Sequence, residues 1–486
     1  MTPASAPKTV QQHIDETPFW PDGTPVSQVP LTGMQWRIWL LAAAGKFFEG
    51  MVVFLTGVAL PLMAREFELD GVGHGLVGAA PLAGILFGAT LLGGLADRIG
   101  RKPLFVGEMF LFVAFLVAIA VTPNLPLLVI FLFGMGLALG ADYPTAHMMI
   151  SEAIPSRVRG KLVIGAFGFQ ALGAIFGVAV GVLVLSQEPD LAAWRWMYAV
   201  AIIPGLAVAI GRIYVPESAN WLMAHGDIGP AQKSLTRLLR RDPPYPDQLN
   251  IAPPPATFGS RTTGYAALFS RRNRRATIFA SLPWFLQDLG TYGIGIFTPT
   301  ILAATLGHSV VKSGSVAQIV HGDMAAAKGT AMIDVLLIVG IVVAVLLADR
   351  VGRVRLQVAG FVGCAAGLSI AALSGAFSGT TQLVLIFAGF MLFNFMTNMG
   401  PNAQTYLIAG EVFPTHLRGK GAGFAASFAK IGAVATAFLC PVLLLDLGQG
   451  TVLGILIATS LIGALVTWRY RIDTRGIDLD TLHDDG

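Results

Sequence analysis

Twelve times along its 486 residues the chain runs through about twenty mostly apolar residues in succession. That is the length a helix needs to cross the hydrocarbon of a bilayer. In lipid every backbone N–H and C=O must find its partner inside the segment, so runs of this length are read as helices. Their approximate ranges are 36–63, 74–96, 103–122, 125–150, 161–185 and 194–215, then 276–304, 330–348, 356–376, 381–406, 418–445 and 450–471. The sequence therefore predicts an all-α membrane protein with twelve transmembrane helices. Residues 36–215 form one six-helix bundle and 276–471 another; 216–275 is the polar connector, and 1–35 and 472–486 are tails. Charged residues make up only 12% of the chain, about half the share of a soluble domain. The first 35 residues have no basic n-region feeding a short apolar core, so no cleavable signal peptide is expected.

The basic residues choose an orientation. Alternate connections carry Arg98, Arg101 and Lys102, then Arg157, Arg159 and Lys161, then Arg350, Arg353 and Arg355, then Arg418 and Lys420. The loops near 122–126 and 376–381 hold no Lys or Arg. Positive charge collects on the cytoplasmic side, which predicts that both termini and the 216–275 loop are cytoplasmic. The expected location is the plasma membrane, of the bacterial inner-membrane kind. The stretch Pro216–Arg241 reads as short amphipathic helices on the inner surface, with basic residues toward anionic lipid. Six prolines between 243 and 255 make a stiff linker after it.

The chain repeats itself at long period. "ADRIGR" at 96–101 returns as "ADRVGR" at 348–353, and "EAIPSRVRGK" at 152–161 as "EVFPTHLRGK" at 411–420. The segment "GGLADRIGRK" resembles the inner-loop signature of the major facilitator superfamily, and "LLADRVGRVR" is a degenerate second copy. The resemblance runs from residue 36 to about 471. It implies two pseudo-symmetric six-helix bundles with a substrate site between them near the bilayer midplane. An aspartate beside arginines at a helix end gives charge-assisted pairs between neighbouring tips. Asp97, Arg98, Arg101, Glu152, Arg159, Asp349, Arg350, Arg353, Glu411 and Arg418 are the expected cytoplasmic gate. The alternative is that they only set topology.

Charged residues inside the apolar runs carry the functional signal. Each costs roughly 2.5–3.5 kcal/mol at a helix centre, so such residues face an interior and mark a pathway. The deep ones are Glu49, Asp142, Asp288 and Lys430; the sequence does not fix the depth of Lys46 and Glu108. On the seventh run Trp284, Asp288 and Tyr292 stand four residues apart and form one stripe roughly 12 Å long. Tyr143 follows Asp142 on the fourth run, and Gln170 is the lone amide of the fifth. A buried cation, an amide, tyrosines and a tryptophan suit an oxygen-rich anion. The carboxylates would repel that anion unless one is protonated, so proton binding would precede anion binding. The alternative is that Lys430 is a permanent structural partner of Asp288 or Asp142.

These segments also resemble the phosphate:proton symporter branch of the superfamily: "GADYP", "WFLQDLGTY", "NMGPNAQTY" and "SFAKIGA". Carried over by position, Tyr143, Gln170, Trp284, Asp288, Tyr292 and Lys430 would contact phosphate. Asp142, Asp288, Glu49 and Glu108 would carry the proton. The first helix departs from that branch, which shows two aspartates three residues apart where this chain has Glu49 and Val52. "PESANWL" at 216–222 echoes sugar porters instead. The expected function is proton-coupled transport of a small anion, phosphate first, by alternating access. The alternatives are an organic acid, a sugar or a polyol as cargo, or a non-transporting membrane sensor. No nucleophile triad, metal-ligand spacing or phosphate-cradling glycine loop stands out, so no enzyme, metal or cofactor is expected. The partners expected are the anion, protons and membrane lipid, with no nucleic acid; the expected state is a monomer. The two cysteines, Cys364 and Cys440, sit in apolar runs and offer no disulfide framework.

Overall fold

The structure, a computed structural model, describes residues 7–17, 25, 30–92, 95–187, 190–240, 251, 265–305, 316–413 and 417–472, the side chains of 97, 303–305, 316–321, 349, 418 and 419 excepted. Spans 1 to 6 are Gly33–Glu66, Gly71–Leu92, Arg101–Ala120, Leu125–Ala153, Ser156–Gln187 and Ala193–Ile213. Span 7 is Arg274–Thr305, span 8 Val316–Val351, span 9 Arg353–Leu373 and span 10 Gly379–Glu411. A last helical stretch, Arg418–Tyr470, carries two spans, because Gly448 at φ 79° and ψ 166° turns the chain back between 418–447 and 449–470. Only glycine takes that backbone conformation at little cost. Cys364 and Cys440 are free and buried.

The two bundles approach closely where small residues let backbones come together. A Cβ on Gly57 of span 1 would stand 2.5 Å from the carbonyl oxygen of Ile296 on span 7. In a bilayer there is no hydrophobic drive between helices, so contact of this closeness supplies the packing attraction instead. The contact lies eight residues from Glu49, roughly 12 Å along span 1. It lies toward the end of the interface opposite the ADRxGR loops.

At the ADRxGR end the first bundle carries an extra layer. A short helix, Val10–Asp15, and two loop helices, Ala219–Ala224 and Ile228–Leu238, pack on the ends of spans 1, 4 and 5. Val10, Ile14, Leu235 and Leu238 bury in one cluster with Ile38 and Ile154. The loop helices thus place their apolar faces on the first bundle. The polar tie is Asp15, which accepts from the Ser156 amide at 2.7 Å and the Ser156 hydroxyl at 2.8 Å. Burial alone would raise the Asp15 carboxyl, but these two bonds, with Gln11 and Arg159 beside it, hold it below its ordinary value. The proline linker of 243–255 lies outside the described residues.

Candidate functional site

Span 7 presents Asp288 and Tyr292 to the inter-bundle interior, as the four-residue spacing implies. Both are buried, at 2% and 3% exposure. Lys430 of span 11 reaches them: its Nζ donates to Tyr292 Oη at 2.6 Å and to Asp288 Oδ2 at 3.3 Å. From the other bundle Glu49 comes within 3.7 Å of the same ammonium. Gln170 Nε2 donates to Glu49 Oε1 at 3.3 Å and to Tyr292 Oη at 3.2 Å. Residues from spans 1, 5 and 7 and from span 11 (418–447, with 449–470 as span 12) therefore form one hydrogen-bonded cluster across the bundle interface.

Lys46, whose depth the sequence left open, belongs to the same centre. It is 6% exposed and pairs with Glu49 Oε2 at 2.6 Å. Its ammonium also lies 3.2 Å from the centroid of the Tyr143 ring, so Tyr143 meets the centre through a cation–π contact. The centre thus holds two lysines and two carboxylates. It is formally balanced, not the lone cation that the sequence suggested.

One turn toward the ADRxGR end lies an aromatic layer. Tyr406 of span 10 stacks on Phe167 at 4.8 Å and meets Tyr143 at 6.0 Å and Trp284 at 6.1 Å edge-on. His147 packs against the same ring at 6.1 Å. Trp284 therefore sits in this layer, beside the charged centre. Tyr406 and Phe167 were missed by the sequence reading because an aromatic in an apolar run leaves no charge signature.

Asp142 and Glu108 are drawn off into a second cluster. Arg212 of span 6, fully buried, contacts Asp142 Oδ1 at 2.7 Å and Glu108 Oε1 at 3.1 Å. It also donates to the carbonyls of Phe105 at 2.8 Å and Leu41 at 2.9 Å. A Cβ on Gly45 would collide with the Asp142 carboxylate, so this cluster needs glycine there. One guanidinium here faces two carboxyl groups. Arg212 went unread because it stands at the edge of an apolar run, where a cation looks like topology.

A third polar row links spans 7, 8 and 10. Gln287 donates to Thr291 at 2.7 Å and to Asn402 at 3.2 Å; Asn402 donates to Asn398 at 2.5 Å. One turn farther, Asn394 donates to the buried Asp334 at 2.8 Å. The three asparagines stand four residues apart, a spacing readable in the sequence.

The expected gate forms repeat-related pairs within each bundle. Arg101 meets Glu152 at 3.4 Å, and Arg353 meets Glu411 at 2.7 Å. Arg159 instead donates to the Ile154 carbonyl at 3.3 Å and the Ser156 hydroxyl at 3.4 Å. Arg98 and Arg350 are exposed. The side chains of Asp97, Asp349 and Arg418 lie outside the described ones. Glu217, from the "PES" motif, accepts from the backbone amides of Arg101 and Lys102, both at 3.1 Å, and the Ser218 hydroxyl donates to Glu152.

With the repeat, the twelve spans and this interface in view, the comparison with known proteins is direct. The family model described as sugar (and other) transporter matches residues 38–485. The chain belongs to the sugar (and other) transporter family. The inner membrane metabolite transport protein YgcS of Escherichia coli (strain K12) is 29% identical over 464 residues, 93% of this chain and 95% of its own. The niacin transporter NiaP of Acinetobacter baylyi is 26% identical over 412 residues, 84% of this chain and 87% of its own. Among solved structures, the proton:xylose symporter XylE bound to 6-bromo-6-deoxy-D-glucose matches with a TM-score of 0.73 at 20% identity, over 93% of this chain and 99% of that one. That likeness gives the fold, the twelve-span major facilitator architecture. The chain is a multi-pass membrane transporter, not an enzyme. The family description names sugars and other solutes, so it lends no support to the phosphate branch that the short motifs resembled.

Proposed function

We propose that this family member is a proton-coupled symporter for a small organic monoanion, a carboxylate on a flat ring, working by alternating access. The observation that carries this is the balanced centre of Lys46, Lys430, Glu49 and Asp288 beside an aromatic layer. In a balanced centre a bare anion brings uncompensated charge into a low dielectric. One proton on Glu49 or Asp288 frees a lysine for one carboxylate and keeps the sum neutral. Phosphate, with more than one charge near neutral pH, would need further protons, which weighs against it here. Tyr143, Trp284, Tyr406 and Phe167 offer ring faces to the flat part of the cargo. Gln170 and Tyr292 supply directional hydrogen bonds.

The Arg212 cluster is the proton-side partner in this reading. Two carboxyl groups on one guanidinium leave one negative charge that a proton from the outer side cancels. The bundles 36–215 and 276–471 rock about the centre, with 216–275 as cytoplasmic connector. The pairs Arg101–Glu152 and Arg353–Glu411, with Asp97, Arg98, Asp349, Arg350, Arg159 and Arg418, act as the inner gate. Both termini face the cytoplasm of a bacterial inner membrane.

A neutral sugar or polyol is the second reading. The row Gln287–Asn402–Asn398 supports it, because amides both donate to and accept from hydroxyl groups. One panel separates the readings: purified protein in liposomes, an imposed inward proton gradient, and labelled nicotinate, benzoate, glucose, xylitol or phosphate outside. Uptake of the ring carboxylates is expected. Uptake of glucose or xylitol alone favours the second reading, and uptake of phosphate alone overturns both.

A further inference from the structure

The two repeats differ at one place where they should match. In the first bundle Gly100, at φ 104°, ends the ADRIG turn, and span 3 starts at Arg101. The Glu217 carboxylate sits on that helix start and takes the Arg101 and Lys102 amides. A carboxylate there meets the positive end of the helix dipole and otherwise orphaned N–H groups. In the second bundle Gly352, at φ 96°, ends the ADRVG turn, and span 9 starts at Arg353. Among the described residues no side chain takes the position that Glu217 holds in the first repeat. In its place is a cleft of about 640 Å³, lined by Arg275, Arg353, Arg355, Arg469, Arg471 and Trp468 with the Gly352 turn.

Among the described residues the positive charge lining this cleft exceeds the negative charge beside it. Five arginines line it, and no described lining residue is acidic. Among the described residues only Arg353 of the five has a carboxylate partner, Glu411 at 2.7 Å, and the Arg353 Nε is buried without a hydrogen-bond partner. The other bonds go to neutral acceptors. Arg275 donates to the Arg471 carbonyl at 2.7 Å, and Arg471 donates to the Trp468 carbonyl at 2.8 Å. The Arg471 guanidinium lies 4.3 Å from the Trp468 ring. These contacts hold the guanidinium groups in place without neutralising them. Like charges gathered so closely repel one another and need an anion among them.

We propose that this cleft binds a phosphate-bearing anion, seated on the start of span 9 where Glu217 sits on the start of span 3. Arginine is the side chain that matches phosphate oxygens in pairs. The cleft opens at the end of span 12, beside an exposed tryptophan, at the depth where headgroups and interfacial aromatic residues collect. An anionic phospholipid headgroup is therefore the favoured source, and free phosphate the other. The inference is independent of the cargo and of the central site.

The test uses the full chain in detergent, followed by native mass spectrometry with phosphatidylglycerol or phosphatidylcholine. Inorganic phosphate binding is measured separately by 31P line broadening. Two triple variants are compared, Arg355→Gln/Arg469→Gln/Arg471→Gln and Arg355→Lys/Arg469→Lys/Arg471→Lys. Wild type should retain phosphatidylglycerol at least about tenfold over phosphatidylcholine, since each basic residue near a surface adds roughly a fivefold gain. The glutamine triple should fall to the phosphatidylcholine level, and the lysine triple should lie between. Saturable phosphate binding without lipid preference, lost in the glutamine triple, supports the same chemistry from the soluble source. The proposal is overturned if wild type binds neither, or if the glutamine triple binds as wild type does. If that triple does not fold, Arg469→Gln/Arg471→Gln at the exposed end of span 12 gives the same reading.

Discussion

Single charged residues decide most about this molecule, because hydrocarbon makes each one costly. Lys430 bridges the bundles, touching Asp288, Tyr292 and Glu49. Lys430→Gln leaves two carboxylates facing one lysine, so uptake of the ring carboxylates should drop by more than about tenfold, one hydrogen-bonded charge pair being worth at least that. Uptake at wild-type rate in that variant would remove the lysine from the site. Arg212→Gln tests a different role. It strands Glu108 and Asp142 buried without their cation, and breaking such a pair costs about 3–5 kcal/mol. A drop of several degrees in apparent Tm is expected in the purified protein; an unchanged Tm would contradict the buried pairing. Asp288, Glu49 and Lys430 were legible from sequence alone because a charge in an apolar run has no cheap explanation. Arg212 was not, since it stands near the edge of its run, and for Lys46 the sequence left the depth open; only the fold shows what they face. Tyr406 carries no charge and so gave no signal.

At the scale of helices, length and hydropathy gave most span ends within a few residues, but span 8 starts at Val316, well before the expected 330; the turn between the last two falls at Gly448, inside the predicted gap. What periodicity could not say is which surface an amphipathic helix covers. The loop helices at Ala219–Ala224 and Ile228–Leu238 use their apolar faces on the bundle and on Val10–Asp15. That N-terminal helix is held by Asp15 on Ser156. Because the folded carboxyl lies below its unfolded value of 3.8, docking is fully supported above that pH and weakens as pH falls through the folded value. Protection of the amides of residues 10–15, corrected for the intrinsic pH dependence of exchange, should therefore fall in acid, and Asp15→Asn should lower it at neutral pH. Equal protection in wild type and variant at neutral pH would contradict the tie. Between the bundles, Gly57→Leu should wedge spans 1 and 7 apart at Ile296. A single cysteine introduced at Val53, one turn nearer the centre, should then react faster with a membrane-impermeant maleimide added outside. An unchanged rate would show that the Gly57–Ile296 contact does not close the path from that side.

For the whole molecule, the repeat in the sequence foretold the twelve-span fold of two six-helix bundles. The structure brings Glu49 and Gln170 of one bundle onto Tyr292 of the other, with Asp288 and Lys430 beside it. The identity of the cargo was the least legible part, because short motifs shared across a superfamily report architecture before chemistry. The decisive measurement is uptake of labelled nicotinate and benzoate into proteoliposomes, with and without an inward proton gradient, in wild type and in Asp288→Asn. Gradient-dependent accumulation in wild type, abolished by a protonophore and lost in Asp288→Asn, is the expected result. Accumulation that ignores the proton gradient, or that survives Asp288→Asn undiminished, would contradict a proton-coupled centre between the bundles.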